Sequence, residues 1–411
     1  MSLSTVTALS PDRIAALKQE ACDRVDAIAS ELLALADDIH ANPELGYQET
    51  QTVAKLREFL ARHGVESEAG LANLPTAMRA DLGGAAGPHI AIIAEYDALP
   101  GLGHACGHNT ICTSAVGAAL AVRAVVERTL GSAVLFGTPA EESAVDNAGG
   151  KIHMLNAGNF ADVDAAIMVH PGDRDRLSLN GSLAARGIVF EFHGTPAHAA
   201  AAPERGVNAL DAIIQTFNAI AALRQQVRSD ARINGIITHG GDAPNIIPKY
   251  AAARFRVRAT TLAYMNELAE RVINCARGAA LATGTRFEFH DFAPTYENQI
   301  PNTTLAERMR DNFVGLGRPM KIESGVGGMG STDFGNISRR IPAMYAWVSI
   351  ADTGTLPHTR EFEIAAGTER AHRMIIDSAK AMAMTAIDML ANPSLFDQAR
   401  SELATSLQNE K

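Results

Sequence analysis

Apolar residues recur through the first forty positions with the period of a helix. After Ser10 and Pro11, a favourable helix start, Ile14, Leu17, Val25, Ile28, Leu32, Leu35 and Ile39 form one 3.6-residue stripe that Asn42-Pro43 stops. This predicts one helix with one face packed on the body. A second helix carries Val53, Leu56 and Leu60 and ends at Gly64. The pattern then changes. Short continuous apolar runs at 76–82, 89–94, 133–137 and 165–169 are separated by helical stretches at 110–128 and 151–157. Continuous rather than alternating runs mark strands covered on both faces, which predicts an α/β fold with a mainly parallel sheet.

From about residue 184 the rhythm becomes strand 188–193, helix 208–224, strands 233–239 and 253–258, helix 262–281 and strand 286–290. That βαββαβ order is the ferredoxin-like α+β unit. Beyond 295 the chain returns to helix, a Gly-rich loop, a strand at 343–349 and a final helix at 366–391. The reading is a discontinuous domain, residues 1–183 and 295–411, interrupted by an inserted one at 184–294. A length of 411 residues agrees with two or three domains of about 150 residues each.

Composition narrows the function classes. Apolar residues make up 47%, as in globular proteins. The 36 Lys and Arg against 46 Asp and Glu leave a net charge of −10, with no basic run to neutralise phosphates. Nucleic acid and anionic membrane are therefore not expected partners. The start MSLSTVTALSPDR has no signal-peptide pattern, and no 18 apolar residues run uninterrupted, so a soluble, cytoplasmic protein is expected. Cys22, Cys106, Cys112 and Cys275 form no CxxC pair and read as free thiols or ligands. The glycosylation-like triplets at Asn180 and Asn302 carry no weight without a secretory route.

The chemistry-bearing residues follow strand ends, where α/β sheets place their ligand crevice. Asp97 follows IAIIAEYD, Glu141 and Glu142 follow AVLFGTPAEE, and His170 ends the run AAIMV. Cys106 and His108 lie two apart in GHACGHNT, and His358 lies in TLPHTREF. Each alone has a structural explanation: a buried thiol, a solvated acidic turn, a core histidine. Together, Cys106, His108, Glu142, His170 and His358 supply five N, O and S donors, enough for two ions sharing a bridge.

The motifs YDALPGLGHACGH, GTPAEE, GTPAHA, NIIP, GSTDFG and PHTREF occur in that order between residues 30 and 390. On them the chain resembles the dinuclear metal aminoacylase and carboxypeptidase family, in its Cys-containing amidohydrolase branch. That branch includes hippurate, indole-acetyl amino acid and p-aminobenzoyl-glutamate hydrolases and related dipeptidases. The resemblance implies two divalent ions (Zn, Mn or Co) on Cys106, His108, Glu142, His170 and His358, with Glu141 as general base on a metal-activated water. It implies that Asp97 orients a ligand. Glu95 stands where related branches have a metal-binding His, a departure that leaves its role open. It further implies a lid and dimerisation role for the inserted domain in a homodimer. From that domain, His198 would donate to the oxyanion, often across to the partner subunit, Asn245 would contact substrate, and Arg258 would pair with a substrate carboxylate. His104 and His193 remain structural candidates.

Two further stretches bear on the pocket. GVGGMG, Gly325 to Gly330, matches the dinucleotide fingerprint GxGxxG but lacks the strand before it and the amphipathic helix after it. It reads instead as a wall of the substrate pocket, with Ser331, Thr332 and Asp333 capping a short turn. The segment from Ser143 to Gly149 replaces an immediate Gly-rich stretch and lies beside the expected base. The expected activity is hydrolysis of a C–N bond in a small N-acyl amino acid, aminobenzoyl-amino acid or dipeptide. The alternatives are hydrolytic deamination of an aromatic amine, which the Ser143 loop invites, and a non-catalytic small-molecule-binding protein on the same fold.

Overall fold

The computed structural model describes residues 7–324 and 330–410. Ser10 accepts the Arg13 N–H at 3.4 Å, and Pro11 opens α1 (Pro11–Ala27). At Ile28 the backbone leaves helical geometry (φ −109°, ψ 6°), so the single helix expected is two, α1 and α2 (Ala29–Ala41). The apolar stripe survives the break, because Val25, Ile28, Leu32 and Ile39 all enter one core. Periodicity alone cannot register a one-residue interruption whose neighbours stay on the same face. The third helix, α3 (Thr50–Arg62), follows with Val53, Leu56 and Leu60 buried.

The chain then lays down β1 (Glu68–Ala69), β2 (Met78–Gly84), β3 (His89–Glu95), β4 (Ser132–Thr138), β5 (Ala165–Gly172) and β6 (Arg176–Ser178). Between β3 and β4 lies α4 (His108–Val125), and α5 (Gly150–Asn156) precedes β5. A separate run supplies β7 (Ala184–His193), α6 (Ala209–Leu223), β8 (Arg232–His239), β9 (Tyr250–Ala259), α7 (Leu262–Thr283) and β10 (Arg286–Asp291). The chain returns through α8 (Thr303–Gly315), β11 (Lys321–Glu323), α9 (Phe334–Ser338), β12 (Ala343–Ser349), α10 (Arg360–Ala365), α11 (Glu369–Ala391) and α12 (Ser394–Asn409). The three-residue strands β6 and β11 are too short to leave a run in the sequence, and α12 continues beyond the helix expected to be last.

The large sheet has the order β1-β2-β4-β3-β5-β12-β6-β11. Its centre is parallel: β4, β3, β5 and β12 pair in that sense, while β1 and β2 add an antiparallel edge. One face carries α1, α2, α4 and α11 in a single large core. Helix α4 is apolar nearly all round because it is buried on nearly every side. Its Gly117 lets neighbours approach closely, since a Cβ there would lie 2.7 Å from the Leu32 side chain and 3.0 Å from Ala379. The second sheet, β10-β7-β9-β8, is antiparallel and packs α6 and α7 around its own core, which includes Phe190, Phe255 and Val257. The molecule is thus a mixed α/β protein whose main sheet points the ends of β3, β4 and β5 toward one crevice.

Candidate metal centre

Each donor is placed by a local device. The turn before α4 passes through Gly107 at φ +75°, where a Cβ would lie 2.6 Å from Pro171 Cγ, so only glycine brings Cys106 and His108 this close to the end of β5. After β4, Ala140 adopts φ +53°, a left-handed conformation costly for a residue with a Cβ. Buried Glu49 holds it there: its Oε1 accepts the Ala140 N–H at 2.9 Å, and its Oε2 accepts the Thr76 hydroxyl at 2.8 Å. The turn delivers Glu141 and Glu142. His358 also sits at positive φ, +65°, and its N–H binds Ala105 O at 2.9 Å.

The donors converge. Cys106, His108 and His170 form one group with ligand atoms within 4.8 Å of one another, and Cys106, Glu142 and His358 form a second. The two groups share the Cys106 sulfur. Asp97 Oδ1 accepts His108 Nδ1–H at 3.1 Å, and Pro171 O accepts His170 Nδ1–H at 2.8 Å, so both rings turn Nε2 inward. Buried His108 Nε2 has no hydrogen-bond partner among the described residues, and His170 Nε2 faces Cys106 Sγ at 3.6 Å. A buried orphan nitrogen beside a thiol, an imidazole and carboxylates fits divalent cations of the borderline-soft type. His358 Nε2, on a half-exposed ring, lies 3.0 Å from Glu142 Oε1.

The electrostatics separate the acids. Burial, and then the charges of Glu95, Glu142 and Asp333, push the Glu141 carboxyl well above its usual range. Burial alone would raise Glu95 too, but Lys151, then His108 and His170, hold it low. Burial pushes His170 down to about 4, keeping its ring neutral and able to ligate.

The open role of Glu95 resolves structurally: its Oε1 lies 2.7 Å from Lys151 Nζ, which lies 2.6 Å from Asp333 Oδ1, all three buried. Asp333 therefore does not cap a turn, as the sequence suggested. Thr332 Oγ1 receives the Phe334 N–H at 3.2 Å instead. Lys151 and Glu49 were not foreseen; the signal for Glu95 was its position closing a strand with no exposed face, where a carboxylate demands a cation. Tyr296, also unforeseen, is buried and donates its hydroxyl to Glu141 O at 2.9 Å.

A cavity of about 530 Å³ opens on this cluster, lined among others by Cys106, Glu141, Glu142, His170, Arg258 and His358. Ser331 Oγ accepts Arg258 Nε–H at 3.2 Å. Of the Gly-rich wall, Gly330 to Thr332 line the cavity, whereas residues 325–329 lie outside the described residues. His198 and Asn245 do not line it; both are exposed on the second sheet's loops, joined by a bridge between His198 and Ile246. His104 is buried against His40, and burial drops it to about 3, while His193 pairs with Glu288. Those two are structural in this geometry. All four cysteines are free.

The chain matches the family model described as Peptidase family M20/M25/M40 over residues 91–377. It is 38% identical to the Xaa-Arg dipeptidase of Mus musculus over 96% of this chain and 94% of that protein. It is 27% identical to one chain of the p-aminobenzoyl-glutamate hydrolase of Escherichia coli, over 92% of this chain and 93% of that one. Among solved structures, a dinuclear metal binding peptidase of Bacillus subtilis superposes with a TM-score of 0.64 at 23% identity, covering 89% of this chain and 99% of that one. These matches set aside the binding-protein alternative. The chain belongs to Peptidase family M20/M25/M40, as a metal-dependent hydrolase of C–N bonds in small molecules.

Proposed function

We propose that the chain hydrolyses the amide bond of small dipeptides and N-acyl amino acids in a two-ion site. Cys106, His108 and His170 would hold one divalent ion, and Cys106, Glu142 and His358 the other. The carrying observation is that two three-donor groups meet at one thiol, with the buried carboxylate of Glu141 beside them. Zn, Mn and Co all suit this mixture of donors. Bound there, such ions supply an acidified water and a polarised carbonyl.

The protein's own groups do the rest. Asp97 fixes the tautomer of His108. Glu141 takes the proton of the attacking water and passes it to the leaving nitrogen; its burial among other acids favours the protonated state it must pass through. Arg258 pairs with the substrate carboxylate. The names of the relatives, a dipeptidase and an aminobenzoyl-glutamate hydrolase, support this substrate range.

His198 completes the site from a second subunit in this reading, and Asn245 contacts substrate there. Supporting this, Ala200 and Ala201 N–H groups bind His198 Nδ1 at 3.2 and 3.1 Å, leaving Nε2–H free to donate outward. Among the described residues strand β8 is an unpaired edge of its sheet, and it exposes consecutive Ile236 and Ile237. A homodimer across that edge, with residues 184–294 as lid and dimerisation domain, belongs to the proposal. So does a cytoplasmic setting, which suits four free thiols.

Aromatic amine deamination loses its ground: of the Ser143 loop only Ser143 lines the cavity, while Asp146 pairs with Arg254 at 3.0 Å on the inserted unit. The test is a pooled panel of dipeptides, N-acyl amino acids, aminobenzoyl-glutamate and aromatic amines, read by mass spectrometry with metal-loaded wild type and Glu141→Gln. Amide cleavage falling by a factor of about 10² to 10⁴ in the variant, with metal retained, is expected. Full turnover by Glu141→Gln would sink the mechanism, and ammonia release without amide cleavage would restore deamination.

A further inference from the structure

One wall of the cavity carries a charge that the hydrolytic machinery does not use. Beside the ligand His170, in register with it on the neighbouring strand, lies Trp347, its ring centroid 4.5 Å from the imidazole. Arg176 pairs with Trp347 across the next strand contact and lays its guanidinium over the indole, 5.5 Å from the ring centroid. Both residues line the cavity.

Arg176 is poorly satisfied for an arginine only 24% exposed. Its one carboxylate neighbour among the described residues, Glu323, lies at 3.6 Å, beyond hydrogen-bond range, and its Nε is buried without an acceptor among those residues. A guanidinium held over an aromatic face at cation–π distance keeps its charge and has N–H groups that match a carboxylate.

The rest of the lining points the same way. Apart from the metal-site acids and Glu141, the one carboxylate lining the cavity among the described residues is Asp173, already accepting the Gly354 N–H at 2.9 Å and facing Arg174 at 3.7 Å. Against it stand Arg174, Arg176 and Arg258. A cavity so charged favours anionic ligands and penalises cationic ones, which lack a free acid to meet.

We infer that Arg176, seated on Trp347, is a second carboxylate-binding residue beside Arg258, and that the preferred substrates are amides carrying two carboxylates. Aminoacyl aspartates or glutamates and dicarboxylic-acid monoamides of amino acids are the chemical class. The inference rests on the amide-hydrolase reading and separates this chain from what its Xaa-Arg dipeptidase relatives are named for.

The test compares acids with their isosteric amides on the full-length, zinc-loaded protein: alanyl-glutamate against alanyl-glutamine, and succinyl-alanine against succinamoyl-alanine, with alanyl-arginine alongside. In at least one pair the acid is favoured about 10-fold or more in kcat/KM, the size of one charge-assisted hydrogen bond. Arg176→Met, which keeps a stem over the indole, brings that ratio toward one, and Arg176→Lys recovers part of it. A merely structural role would lower both members of a pair and keep the ratio. Trp347 is the single tryptophan of the chain, so its fluorescence in Glu141→Gln reports binding without turnover. Acid-selective quenching that Arg176→Met abolishes supports the inference even if nothing is hydrolysed, an outcome that would defeat only the catalytic reading. No acid preference in either pair, or preference for alanyl-arginine, overturns it.

Discussion

Asp97 and His108 are joined by a single hydrogen bond of 3.1 Å that decides which imidazole nitrogen faces the ligand cluster. The other oxygen of Asp97 accepts the Glu142 N–H at 2.9 Å, so one carboxylate orients donors from two separate strand ends. Loss of such outer partners weakens metal binding by about 10- to 100-fold. Asp97→Ala is expected to fall in that range, checked by zinc titration in competition with a chromophoric chelator.

Lys151 lies buried between Glu95 and Asp333, at 2.7 and 2.6 Å. Removing the cation leaves two buried acids facing Glu141. Lys151→Met is expected to lose about 3–5 kcal/mol of stability at pH 7. The deficit shrinks as pH falls, because the abandoned carboxylates can then take protons. Urea unfolding at pH 7 and pH 5 measures both.

Glu49 gives a pH dependence of definite sign. Burial, with Asp97 adding to it, pushes its carboxyl from 4.5 up to about 7 in the fold. Between those values the folded state binds more protons than the unfolded one, so Glu49 detracts from stability progressively as pH rises through 4.5 to 7. At about 1.4 kcal/mol per pH unit, the effect is at most about 3.5 kcal/mol. Glu49→Gln does not titrate: its amide oxygen still accepts the Ala140 N–H, and its NH2 turns the Thr76 contact round by donating to that hydroxyl oxygen. Its stability relative to wild type should improve across that window and level off above it, as read by denaturant midpoints at half-unit steps.

If His198 acts across a dimer, two inactive variants should repair one another. Mixing His198→Ala with Glu141→Gln under exchanging conditions places an intact Glu141 opposite an intact His198 in half of each hybrid. Activity should return to about a quarter of wild type. Ile236→Lys with Ile237→Lys should give monomers by sedimentation and prevent the rescue. Absence of rescue from verified hybrid dimers would refute the exchange.

Much of this site could be read from the chain because its donors sit where continuous apolar strands end. Asp97, Glu141, Glu142 and His170 announce themselves by following such runs. What escaped were residues whose partners are distant in sequence. Lys151 reads as an ordinary helix residue until Asp333, 182 positions away, is brought against it. Tyr296 and Glu49 likewise act on backbone atoms of the Glu141 turn, and sequence patterns carry no trace of a side chain's backbone partner. The kink at Ile28 escaped for the opposite reason: it changes the path of the chain but not which face is buried.

The Tyr296 hydroxyl on the Glu141 carbonyl, with the Asn147 N–H on Phe292 O at 3.0 Å and Asp146 on Arg254, stitches the turn bearing Glu141 to β9 of the inserted unit and to the segment that follows β10. The inserted unit is therefore not a module that can be exchanged at its ends alone. A chimera that imports another inserted unit must carry 141–149 and 292–296 as one inherited block, because each of these contacts has one partner on either side of the junction.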